Sequence, residues 1–239
     1  MIATILRAYL ALGCAAAGVS YLVGYDTDRE PSAIETHLRT TRFHALDRRH
    51  HGLRVPGAFD GFELALRAIL GQQVTVKGAT TLSARLAQVF GEPVVTDDAA
   101  LSHVTPDAAR IADAPLHMIR DIGLPVARAS SVQALAREVA SGALRIAPDA
   151  DVRRVTAHLT ELPGVGSWTA DYIAMRALHW PDAFPAGDLA LQRAAGGLTA
   201  GRLRKLAEPW RPWRSYAAMH LWMKASHTDA RTTSPAPVR

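Results

Sequence analysis

Cysteine is almost missing from this chain of 239 residues, where Cys14 stands alone. A single thiol excludes an internal disulfide, a four-cysteine zinc site and a four-cysteine iron–sulfur cluster. It fits a reducing compartment, and the expectation is the cytoplasm. Aromatic residues are few as well, 6% of the chain against 49% hydrophobic, so the apolar content is mainly aliphatic. At this length that content suffices for one large globular domain, or a main domain with a small appendage. Long apolar runs are also scarce. The stretch Ala8 to Tyr25 follows Arg7 and raises a signal peptide or short membrane segment. One positive charge precedes it, small residues and Gly interrupt it, and Cys14 after Ala11-Leu12-Gly13 lacks the leading Leu of a lipoprotein cleavage site. A packed N-terminal helix or strand is therefore expected in place of an export signal.

Nor is there an excess of acid. The formal net charge is +5, and it is unevenly spread: residues 1–150 carry 15 basic and 15 acidic side chains, residues 151–239 carry 12 and 7. A basic surface in the last part attracts phosphate and releases counterions from nucleic acid, although charge alone does not establish such binding.

Helical periodicity prevails after residue 58. Phe59, Phe62, Leu66, Ile69 and Leu70 share one face, and Leu82, Leu86, Val89 and Phe90 form a second stripe after a break at Gly71. Both predict core helices. Gly91-Glu92-Pro93 ends the second, Thr105-Pro106-Asp107 starts a short one, and Gly123-Leu124-Pro125 precedes a helix reaching about Ser141. Further helices are expected from about Asp151 to Leu159 and at about 167–178, 188–196, 199–207 and 212–225. The pattern predicts a mainly α bundle of eight or nine short helices. Residues 1–57 read as an N-terminal segment with a polar connector and one helix at Pro31 to Leu38, residues 58–225 as the main domain, and residues 226–239 as a disordered tail.

The most informative stretch is Leu162-Pro163-Gly164-Val165-Gly166-Ser167-Trp168-Thr169-Ala170-Asp171-Tyr172. Glycines at 164 and 166 allow positive φ and close approach of another backbone, while the amides opening the next helix are phosphate donors. An ordinary helix–turn–helix connection also uses Pro-Gly-x-Gly. Twenty residues after Trp168, Phe184-Pro185-Ala186-Gly187-Asp188-Leu189 delivers a carboxylate at a helix start. Asp188 reads as an N-cap, a role compatible with a second one.

Taken together, the hairpin, the later loop Asp, the closing Trp210-Arg211-Pro212-Trp213-Arg214-Ser215-Tyr216-Ala217 and the stretch Phe62-Glu63-Leu64-Ala65-Leu66-Arg67-Ala68-Ile69-Leu70-Gly71-Gln72-Gln73-Val74 resemble the DNA-3-methyladenine glycosylase II family. This is the AlkA type of the helix-hairpin-helix superfamily. The resemblance runs from about Val55 to Ser226, roughly 70% of the chain. It implies a helix-hairpin-helix glycosylase bundle whose usual α/β N-terminal domain is shortened here to a remnant.

The resemblance further implies that Asp188 is the catalytic aspartate, stabilising the positive charge that builds on the sugar as an N-glycosidic bond breaks. Trp168, Tyr172 and Trp222 match positions lining the base pocket, where stacking and cation–π attraction favour alkylated purines. Gln73 matches the side chain that fills the gap left by a flipped base; Gln replaces the apolar wedge of the AlkA type. Gly164 and Gly166 would grip the DNA backbone, and Arg211 and Arg214 are candidates to face phosphate. The main-chain carbonyls of Thr160, Leu162 and Val165 match positions that hold a monovalent cation, Na+ or K+, and no organic cofactor is implied. Bifunctional members carry a Lys after the hairpin, where this chain has Trp168, so no Schiff base can form there. The expected activity is therefore a monofunctional glycosylase in base excision repair, acting as a monomer on duplex DNA with alkylated bases. Two other readings stay open, a non-catalytic helix-hairpin-helix DNA-binding protein and a bifunctional glycosylase/lyase. His158, His179 and His220 show no metal-ligand spacing.

Overall fold

The computed structural model describes residues 29–41, 43–45, 50–95, 97 and 102–232, with side chains as far as Ala225. The apolar N-terminal stretch with Cys14, and the last residues of the expected tail, lie outside the described residues. Within them the chain forms α1 (Pro31–Thr40), α2 (Gly61–Leu70), α3 (Val76–Phe90), α4 (Ala108–Ala112), α5 (Leu116–Asp121), α6 (Val126–Ala140), α7 (Val152–Glu161), α8 (Ser167–Arg176), α9 (Leu189–Ala194), α10 (Ala200–Leu206), a 3-10 turn (Glu208–Trp210) and α11 (Arg214–Thr232). The described residues contain no strand, and Pro93 and His103 form an isolated antiparallel bridge. The expected mainly α architecture is borne out.

The helices divide into two compact units. One spans Ala58–Leu178, and the other joins the residues before Ala58 to those from His179 onward.

In the Ala58–Leu178 unit, α2 is the central helix, packed against α3, α6 and α8. Asp60 caps it by accepting the Glu63 amide at 2.6 Å, and Phe62, Leu64, Leu66, Ile69 and Leu70 are all buried. Each such side chain contributes roughly 1.5–3 kcal/mol of hydrophobic stabilisation. Two residues of the expected core stripes are not core. Phe59 is 89% exposed because it precedes the Asp60 cap and so lies outside the helix whose period it seemed to continue. Val89 is 48% exposed because the buried line of α3 is Leu82, Leu86 and Phe90, a strict four-residue spacing that Val89 flanks. Helix α5 has no counterpart in the sequence reading. It is six residues long and buries Ile119, too short for a period to show.

In the other unit, α11 carries the core, with Tyr216, Met219, Leu221, Trp222 and Ala225 buried and α9 packed against it. Trp210 is sandwiched edge-on by Phe43 at 4.8 Å and Phe184 at 5.8 Å between ring centres. Such edge-to-face pairs add about 0.5–1.5 kcal/mol to the burial itself. Helix α11 continues to Thr232, beyond Ser226 where the sequence reading begins a disordered tail.

Candidate active site

The hairpin is built where α7 stops. Pro163 forces the residue before it toward extended backbone, and Leu162 sits at φ −71°, ψ 138°. Gly164 then takes φ +75°, and a Cβ there would collide with the Ser131 hydroxyl of α6, so both conformation and space require glycine. Gly166 differs from the expectation: it is extended at φ −90°, ψ 173°, with open space where a Cβ would point. Its role is to begin α8, and no side chain caps that helix start. Pro163, Gly164, Gly166 and Ser167 are all exposed. The result is an outward-facing turn followed by helix amides, the arrangement that receives an anion.

On α8, Trp168 and Tyr172 lie one turn apart with rings stacked at 5.6 Å and 12°. The ladder continues to a residue the sequence reading missed. Arg176 donates to the Tyr172 hydroxyl at 3.2 Å, and its guanidinium lies 5.7 Å from the ring centre. Tyr172 and Arg176 are both buried, whereas Trp168 is half-buried. The four-residue spacing was the available signal. Gln73 sits in the turn between α2 and α3, exposed and in the left-handed region at φ 54°.

The carboxylate is delivered by the segment 179–188, which is tied to the start of α11. The Ser215 hydroxyl shares its one proton between the carbonyls of Trp180 (2.8 Å) and Ala183 (2.9 Å), and the Ser215 amide donates to that of Pro181 (2.9 Å). A turn from Pro185 to Asp188 follows, closed by the Asp188 amide on the Pro185 carbonyl at 2.9 Å. Asp188 caps α9 as expected, accepting the Leu191 amide at 2.8 Å on Oδ1. The same oxygen accepts the Trp222 indole N–H at 3.1 Å. Asp188 is 1% exposed and Trp222 has no exposed surface. These two N–H donors orient Oδ1 of the buried carboxylate. Trp222 therefore stands behind the carboxylate, a role its match to a pocket position did not suggest.

Arg214 differs from the expectation that it faces phosphate. Arg214 is buried and gives Nε to Asp182 Oδ1 at 2.6 Å and Nη2 to Asp182 Oδ2 at 3.0 Å. A guanidinium so engaged and enclosed has no surface for DNA. Arg211 is half exposed and bridges Asp182 (2.8 Å) and Glu208 (3.0 Å). Nothing near Arg214 in sequence marks Asp182, 32 residues away, as the group that encloses it. Among the described residues, no group of three or more His, Cys, Asp or Glu is placed to hold a metal ion, and no helix is long and apolar enough to cross a membrane.

Residues 66–208, more than half of the chain, match the model of the HhH-GPD superfamily of base excision DNA repair proteins. The chain is 41% identical to a Mycobacterium tuberculosis protein named "Probable bifunctional transcriptional activator/DNA repair enzyme AlkA", over 84% of this chain and 41% of that one. It is 39% identical to DNA-3-methyladenine glycosylase 2 of Escherichia coli, over 72% of this chain and 60% of that one. The chain thus spans between two fifths and three fifths of the length of these relatives. Its fold is also that of the 3-methyladenine DNA-glycosylase of Archaeoglobus fulgidus, at a TM-score of 0.66 and 24% identity over 85% of this chain and 72% of that one. The resemblance read from the hairpin, the loop aspartate and the Gln72-Gln73 stretch is borne out: the chain belongs to the HhH-GPD superfamily of base excision DNA repair proteins, alongside the AlkA-type glycosylases.

Proposed function

We propose that this chain is a monofunctional DNA glycosylase that hydrolyses the N-glycosidic bond of alkylated purines of the 3-methyladenine type, working as a monomer on duplex DNA. The observation that carries this reading is Asp188, a buried carboxylate oriented by the Leu191 amide and the Trp222 indole. As the bond between C1′ and the base nitrogen breaks, its electron pair leaves with the base and the sugar becomes cationic. Asp188 stabilises that cation, and it accepts a proton from the water whose oxygen then bonds to C1′. A purine alkylated at N3 or N7 carries positive charge and departs neutral, so no acid partner is needed at the leaving group. Trp168 stands where lyases carry an amine, which closes the Schiff-base route and leaves an abasic site as product.

The stacked Trp168 and Tyr172 supply aromatic surface for a flipped base. The exposed turn at Gly164 and Gly166 supplies the backbone grip. The donor chemistry between Thr160 and Val165 suits a monovalent cation: Thr160 belongs to the last turn of α7, where carbonyls lack the regular i+4 amide, although the Leu162 carbonyl already accepts the Val165 amide at 3.1 Å. Na+ or K+ held by the carbonyls of Thr160, Leu162 and Val165 would offset phosphate charge at the hairpin.

The test is to incubate the protein and its Asp188→Asn variant with methylated duplex DNA, following released bases and, separately, strand breaks before and after hot alkali. Release by the wild type only, with breaks appearing after alkali, supports the reading. Breaks before alkali would indicate a lyase. Binding to damaged duplex with no release from either protein would indicate a DNA-binding module without catalysis.

A further inference from the structure

Helix α2 closes with the Gly71 amide on the Arg67 carbonyl at 2.9 Å, and α3 opens with Thr75 Oγ1 accepting the Gly78 amide at 3.1 Å. The turn between them is thus fixed at both ends. At its apex Gln73 is exposed at φ 54°, a conformation that costs a non-glycine residue on the order of 1 kcal/mol and persists only where the surroundings enforce it. The neighbouring side chain supplies the enforcement. Gln72 Nε2 donates to the Gly164 carbonyl at 3.0 Å and to Thr169 Oγ1 at 3.1 Å, across 92 and 97 residues of sequence. A primary amide has two N–H bonds, and both are engaged.

These two acceptors bracket the hairpin. Gly164 is the left-handed apex of the turn, and Thr169 lies on α8 just beyond its open start, 2% exposed. One side chain therefore pins the Gln73 turn to both sides of the Gly166–Ser167 helix start, all within one compact unit. Consecutive residues divide the labour: Gln72 faces in and is bonded, while Gln73 is forced outward.

We infer that Gln72 is a positioning residue that locks the register between the hairpin's phosphate grip and the Gln73 side chain, so that the nucleotide displaced from the stack is the one at a fixed offset from the held phosphate. The inference rests on the glycosylase reading above and extends it to a residue outside the reacting groups. A wedge misplaced by about 1 Å loses most of its effect, whereas a loosened turn leaves phosphate contacts intact.

The experiment compares wild type, Gln72→Leu, Gln73→Ala and the double variant. Three readouts are used: affinity for undamaged duplex, single-turnover base release from methylated duplex, and fluorescence of 2-aminopurine beside a tetrahydrofuran abasic analogue, which reports insertion into the gap. Gln72→Leu should bind undamaged duplex within about twofold of wild type yet release base roughly 10-fold more slowly with a reduced fluorescence change, and in the Gln73→Ala background it should add less than about twofold. An equal loss in both backgrounds, or unchanged release and fluorescence, overturns the inference. If Gln72→Leu fails to fold, Thr169→Val removes one of the two acceptors and should give a smaller loss in the same direction. Absence of base release from the wild type would sink the glycosylase reading, while the fluorescence cycle would still decide the coupling.

Discussion

Two buried aspartates lie six residues apart in one loop segment and are held by different groups. Asp182 meets two guanidiniums, those of Arg214 and Arg211, and its charge is balanced where it sits. Asp188 accepts from a main-chain amide and an indole, donors that orient a carboxylate without bringing a positive charge. The first arrangement fastens the loop to α11. The second orients a carboxylate oxygen at the start of α9. Burial alone does not give a carboxylate its role; the groups that hold it matter as well.

The comparison breaks most sharply at Asp188. Asp188→Asn keeps an N-cap and should leave thermal stability nearly unchanged, while base release falls by roughly 10²–10⁴-fold. Melting temperature and single-turnover release on the same preparation would check it; a large loss of stability with activity per folded molecule intact would reverse the assignment of the two residues.

Asp182→Ala is the converse. It removes the closest ion-pair partner of the buried Arg214 guanidinium, leaving Glu208 at 3.4 Å, and should cost about 3 kcal/mol of stability, read by denaturant unfolding, with base release per folded molecule largely preserved at low temperature. If stability held and release vanished, Asp182 would belong to the chemistry.

Trp222→Phe tests the supporting donor. The ring remains and the N–H is lost, so release should slow by about 10-fold. An unchanged rate per folded molecule would mean that Trp222 acts by packing only.

The smallest effect is expected at His179, where the loop begins. Burial, and secondly the nearby Arg29 charge, lower its pKa from 6.5, and its backbone is in the left-handed region at φ 52°. As pH falls through about 6.5 the unfolded chain takes up a proton that the folded chain resists, so stability declines on the acid side and is unaffected above it. His179→Asn accepts the same backbone and removes the titration. Its melting temperature should drop between pH 7.5 and 5.5 by about 1 °C less than that of the wild type, a modest change because His179 is partly solvated. Equal drops would place the acid sensitivity of the loop elsewhere.

Much of the site was legible because its signals are local. Asp188 as an N-cap, the break at Gly71, the stop at Leu162-Pro163 and the left-handed Gly164 all follow from a few neighbouring residues. The aromatic pair on α8 followed from helical spacing, and the same spacing extended one turn would have reached Arg176. What failed was long-range or depended on where a helix begins. Phe59 kept the period of α2 but lay outside its cap. Arg214 carried no mark of the Asp182 that would enclose it, across 32 residues.

The sequence by itself determined the longer helical segments, the hairpin and the position of the carboxylate, since caps, turns and periodicity act over one or two turns of chain. Only the tertiary structure decided which charges are neutralised, which donors hold Asp188, and that Gln72 reaches the hairpin. Those outcomes turn on pairs of groups brought to about 3 Å across 32 to 97 residues, and a hydrogen bond depends on that distance and on no feature of the chain between.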